Sequence, residues 1–147
     1  MSLDVYSATS DYLTSYLATA GQTPPGGIYL AQIPEDHAGS FPCIVINDLG
    51  FETEWTFENG FHDVGALRID CYAISAAATR VLGDLIKTAF ANPTTWATFS
   101  AFLPSGQTAR LYQRRRFQIA AEDVRGPDGS LLYRYETEFD IRIEGNY

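Results

Sequence analysis

Few side chains in this sequence have the chemistry to act as catalysts or ligands, and they are thinly spread. Two histidines, His37 and His62, each stand next to a carboxylate, Asp36 and Asp63. An imidazole paired with a carboxylate can serve as a general base or a metal ligand. A zinc site needs further Cys, His or carboxylate ligands at short, regular spacing, and neither histidine has them. A Ser–His–Asp device could be drawn from distant positions, yet no nucleophile elbow presents a serine. The Gly26-Gly27 pair follows two prolines and opens no helix, so it is not a phosphate loop. With 18 Asp and Glu residues, paired acid–base carboxylates can be picked at will and carry no specificity. Cys43 and Cys71 fall in predicted strands, outside C-x-x-C spacing; they are expected as buried free thiols, although antiparallel pairing could bring them close. The residues therefore argue against an enzyme, and no cofactor or metal is expected.

The bulk of the chain points the same way. Its 147 residues suit one domain spanning 1–147, and 46% of them are hydrophobic, enough for a core without staples. The net charge is −8, and Lys87 is the only lysine. Such a chain is poorly suited to wrap nucleic acid, because that requires neutralising phosphates. The opening MSLDVYSATS lacks an apolar signal core, and no run of about 18 apolar residues is present, so a reducing cytoplasm and no membrane partner are expected.

These residues must be placed by a short list of elements. Residues 2–20 predict an amphipathic helix with Leu3, Tyr6, Leu13, Tyr16, Leu17 and Ala20 on one stripe, stopped by Gly21. GQTPPGG is a linker, and Ile28–Ile33 reads as a short edge strand. Cys43–Leu49 is a strand whose unbroken apolar run implies cover on both faces. Gly50–Asp63 predicts a β-arm extending beyond the sheet, with a turn at Asn59-Gly60. Gly65–Ala73 alternates, with Leu67, Ile69 and Cys71 on one face. Ser75 caps a helix over Ala76–Phe90 that is expected to bury Ala77, Ala78, Val81, Leu82, Leu85, Ile86, Ala89 and Phe90. Asn92–Gly106 reads as a short helix or turn, with Thr94 as its cap. Ala109–Val124 and Leu131–Glu144 form a second hairpin around Pro-Asp-Gly. Together these predict an α/β (α+β) fold: one mixed, mostly antiparallel sheet, two main helices packed on it and a projecting β-arm.

Two surface features stand out. The arm carries Phe51, Trp55, Phe57 and Phe61; these either fold back on the core or meet another protein chain, because exposed aromatics are uncommon on monomers. Arg114, Arg115 and Arg116 form the one dense cationic group, and they are expected across from Glu136 and Glu138 in the second hairpin, or against acidic residues of a neighbour.

The order of these elements resembles that of the tail terminator, or tail-completion, proteins of long-tailed bacteriophages. The resemblance rests on the N-terminal helix, the Pro-led strand FPCIVIND, a variable arm, the strand LRIDCYA running into ATRVLGDLIKTAF, and the closing YRYETEFDIRIEG. It covers most of the chain, with Asn92–Gly106 longer than expected. It implies a tail-terminator-like domain that forms a hexameric ring on the tail tube, stops its polymerisation and presents a surface to the head–tail connector. Its partners would be its own copies, the tube protein and the connector, with DNA only passing through the lumen. Its place would be the virion, assembled in the bacterial cytoplasm. On the same resemblance, Phe51, Trp55, Phe57, Phe61 and Arg114–Arg116 are the candidate contact residues. The alternatives are another neck or head-completion protein, or a small enzyme or ligand-binding domain.

Overall fold

The structure is a computed structural model that describes residues 2–34, 40–55, 60–119, 129 and 131–146, and leaves out the side chains of 2–4, 61, 115–119 and 146. The elements are α1 (Ser2–Thr19), β1 (Ile28–Leu30), β2 (Cys43–Trp55), β3 (Gly60–Ala73), α2 (Ala76–Ala89), α3 (Pro93–Ser100), β4 (Thr108–Ile119) and β5 (Tyr133–Asn146). The five strands form one mixed sheet in the order β1-β2-β3-β5-β4. Among the described pairings only β1–β2 is parallel. The expected α+β class is what the chain adopts, with a third helix added to the two main ones.

α1 ends where glycine permits it. Gly21 has φ +69°, the N–H of Gln22 donates to the Leu17 carbonyl (2.8 Å) and that of Gly21 to Ala18 (3.1 Å). This paired closure satisfies carbonyls that the helix end would orphan. The buried stripe is Val5, Ala8, Tyr12, Leu13 and Leu17. It is rotated from the expected one: Tyr6 and Tyr16 flank the core and Ala20 is exposed. Tyr12 sets the rotation. Its ring packs against Phe90 and Phe99, and its hydroxyl donates to the Ala89 carbonyl (2.5 Å), so a polar tip is buried with its bond made.

α2 starts as expected, with Ser75 accepting from the Ala78 N–H (3.2 Å). Its buried face is Thr79, Leu82, Gly83, Ile86 and Ala89, so the expectation for Ala77 and Val81 is corrected: both are exposed. The close approach to the sheet is made by Gly83. A β-carbon there would lie 2.3 Å from the Tyr135 ring. α3 is capped by Asn92, not Thr94. The Asn92 side chain accepts from the Thr95 N–H (3.1 Å), Thr95 bonds back, and Pro93 occupies the first turn.

The core lies between the helices and one face of the sheet. It is built from Ile44, Ile46, Leu67, Ile69, Cys71, Leu111, Tyr135, Phe139, Ile141 and Ile143 with Leu82, Ile86, Phe90 and Phe99. β2 is buried on both faces at its start, since Cys43 and Val45 are as hidden as Ile44 and Ile46. Cys43 and Cys71 are both buried and free. Cys71 sits opposite Ile44 rather than Cys43, so the two thiols are on opposite faces of the sheet.

Candidate protein interface

The arm is the far half of the β2–β3 hairpin, and a bulge sets its facing. Asp48 pairs with Leu67 and Phe51 with Gly65, so Leu49 and Gly50 together oppose Ala66. Gly50 takes φ +119°, which glycine tolerates, and its N–H donates to Asp48 Oδ1 (2.6 Å). The Asp48 N–H in turn donates to the Tyr6 hydroxyl, tying the bulge to α1. Beyond the bulge, Phe51, Thr53 and Trp55 share the helix side of the sheet, while Glu52 and Glu54 face away from the helices beside Val64 and His62.

The expected aromatic cluster therefore divides. Phe51 is half-buried on the core, and its ring covers Gly65, where a β-carbon would come within 2.6 Å of it. Trp55 is 68% exposed. Phe57 lies outside the described residues. Phe61 is described as backbone only, paired with Trp55 on one side and Gly145 on the other. The arm is also less free-standing than the sequence implies. β5 runs beside it as far as Asn146, so the β3 leg is a central strand and the β2 leg forms the margin.

The arginines divide too. Arg114 sits at a second bulge and reaches Asp140 (3.8 Å), with both side chains more than half exposed. A pair so exposed contributes about 0–1 kcal/mol. Arg115 is in register with Glu138 as expected, but the residue opposite Glu136 is Phe117, and Arg116 is opposite Thr137. Side-chain positions of Arg115 and Arg116 are outside the description.

Of the histidines, His37 lies outside the described residues. His62 joins a surface cluster in which Arg142 donates to its Nδ1 (3.3 Å) and Arg142 Nε meets Glu144 (3.2 Å). Among the described residues no group of three His, Cys, Asp or Glu side chains is placed to hold a metal ion. Nor is any described helix long and apolar enough to cross a membrane.

Two acidic features were not legible in the sequence. Asp63 is fully buried on the helix side, where the Thr53 hydroxyl donates to its Oδ1 (2.6 Å); its Oδ2 has no partner among the described residues. Asp70 and Glu136 are directly opposite each other and buried (1% and 5% exposed) on the face without helices. Asp70 accepts from Arg68 Nε (3.1 Å) and Asn47 Nδ2 (3.2 Å), and Arg134 lies 3.6 Å from Glu136. Burial pushes both carboxyls above their usual range; Arg68 and Arg134 pull the other way, and a hydrogen bond with Glu138 lifts Glu136 further. Simple alternation reads this face as solvated. The two carboxyls are hidden there beside Arg68, Arg134, Asn47 and Tyr72, side chains brought together across strands, which no periodicity encodes.

No family model and no curated protein matches this sequence. A solved structure does. The chain is similar to one in the "Virion of native gene transfer agent (GTA) particle", with a TM-score of 0.51, 18% identity, and coverage of 90% of this chain and 84% of that one. The likeness is one of fold. At this identity it assigns no residue a role.

Proposed function

We propose that this chain is a non-enzymatic structural subunit of a phage-like virion. In this reading it is a tail terminator whose copies form a hexameric ring on the tail tube, end tube polymerisation and offer the surface that joins tail to head. The observation that carries the reading is the fold shared, over most of both chains, with a chain of a gene transfer agent virion. The order of sequence elements supports the finer assignment, and the exposed Trp55 at the sheet margin supports a protein partner. A ring of copies carrying −8 each would be strongly acidic, and an acidic lumen lets DNA pass without adhering. The subunit would be assembled in the bacterial cytoplasm and retained in the particle's neck. The test is addition of the purified chain to growing tail tubes followed by electron microscopy. Tubes of defined length with a ring on one end are expected. Tubes that keep growing with no bound protein would refute the assignment.

A further inference from the structure

The sheet has two margins, and they carry opposite charge. On one side β1 covers β2 only as far as Ile46: the N–H of Ala31 donates to the Ile46 carbonyl (2.9 Å), and Ala31, at φ +73°, turns the chain away. From Asn47 to Trp55 no described strand pairs with the outer side of β2. On the other side, among the described strands, β4 pairs with β5 alone. Its first outward N–H, at Ala109, is taken by the Ser100 hydroxyl (2.8 Å), and alternation places the next outward groups at Leu111. The β2 margin carries Glu52 and Glu54, both exposed; the β4 margin carries Arg110 and Arg114, both exposed.

The two sets also face the same way. Glu52 and Glu54 point away from the helices. Arg110 is opposite Arg142 in the same cross-strand row as Glu52 and Val64, and Arg114 reaches Asp140, which alternates with the core residues Phe139 and Ile141. On the helix side, the β2 margin offers Trp55. The β4 margin borders a groove of about 350 Å³ between β4 and the helices, lined in part by Phe90, Trp96, Leu111 and Tyr112. Strand directions agree as well: β2 and β5 run the same way and β4 runs against them, so β4 of one copy is antiparallel to β2 of another that keeps its helices on the same side.

We infer that the occupant of each margin is a second copy of this chain: the β2 arm of one subunit pairs with β4 of the next, head to tail. Like-signed margins repel, so β2–β2 and β4–β4 contacts are disfavoured and the contact is heterologous. Repeated with a rotation that closes on itself, as the ring reading requires, such a contact makes a ring. Glu52 and Glu54 meet Arg110 and Arg114 on one face, and Trp55 enters the aromatic groove on the other. The inference rests on the ring reading above and names the surfaces that build the ring.

The test is a charge exchange, read by sedimentation velocity and native mass spectrometry. One variant carries E52R/E54R and so has two basic margins; the other carries R110E/R114E and has two acidic ones. Each alone is expected to assemble at least about tenfold more weakly than the wild type. An equimolar mixture is expected to recover assembly, in rings that alternate the two chains and contain even numbers of subunits. Should a double variant lose its fold by circular dichroism, Glu54→Lys and Arg114→Glu take their places. A wild type that assembles alongside variants that assemble equally well, or a mixture that fails to recover, overturns the β2–β4 contact and leaves the ring reading standing. A wild type that stays monomeric at millimolar concentration overturns both.

Discussion

Phe51 and Trp55 lie four residues apart on one side of the same strand, and the structure gives them opposite duties. Phe51 is packed over Gly65 and against the core, whereas Trp55 is 68% exposed. Truncating a fully buried Phe to Ala costs about 3–5 kcal/mol, so a half-buried one should cost about 2 kcal/mol. In a chain of 147 residues each kcal/mol moves the melting temperature by about 2–4 °C, giving an expected drop of about 4–8 °C for Phe51→Ala. Trp55→Ala removes little buried surface and should stay within about 0.5 kcal/mol, or about 2 °C. Its effect should appear in self-association. The assay is a thermal melt by circular dichroism at low concentration, paired with sedimentation at high concentration. If Trp55→Ala melts early while Phe51→Ala does not, the facing of the arm is wrong. If neither change weakens assembly, the exposed half of the arm is not a contact.

Gly83→Ala should lower stability by about 1–2 kcal/mol despite the roughly 1 kcal/mol that alanine gains in a helix, because its β-carbon would press 2.3 Å from the buried Tyr135 ring; a melt above wild type would refute this. Glu136 holds its proton more tightly folded than unfolded. Its contribution is therefore full below its ordinary value of 4.5 and declines as pH rises through the raised folded value, so Glu136→Gln should raise the melting temperature at pH 7–8 and leave it unchanged at pH 4. Burial pushes the Cys43 thiol up to about 12 and raises the Cys71 thiol well above its ordinary value, so a maleimide at pH 8 should label neither thiol in the native chain and both in denaturant; fast native labelling would contradict their placement.

Local signals were readable in the sequence where the physics is local. Gly21, Ser75 and the alternation of Leu67, Ile69 and Cys71 each mark their element with residues that are neighbours in the chain. The two strands of the arm were legible for the same reason, while the predicted turn at Asn59 lies outside the described residues. What failed depended on partners far away in sequence. The α1 stripe turned on Tyr12 meeting Ala89 and Phe99, and the α2 face turned on Tyr135 requiring a glycine at 83. The burial of Asp70 and Glu136 came from β3 and β5 becoming neighbours, a pairing of strands more than sixty residues apart. Within the candidate interface, the split between Phe51 and Trp55 was invisible because it depends on where the helices end above the sheet.

The bulge at Leu49 and Gly50 has a consequence for how this surface is specified. Pair both residues regularly instead of bulging them and the arm slips by one: Phe51 would come opposite Val64 and turn to the open face, while Glu52 and Glu54 would turn toward the helices. Composition and charge would scarcely change, yet greasy and acidic sides would trade places from that point outward. The bulge thus works as a phase shifter between two stretches of one strand. It lets the half that builds the core and the half that faces outward obey separate patterns, and it makes the way two residues are fitted opposite one, more than the identity of the side chains beyond them, the thing that decides which side of the arm is presented.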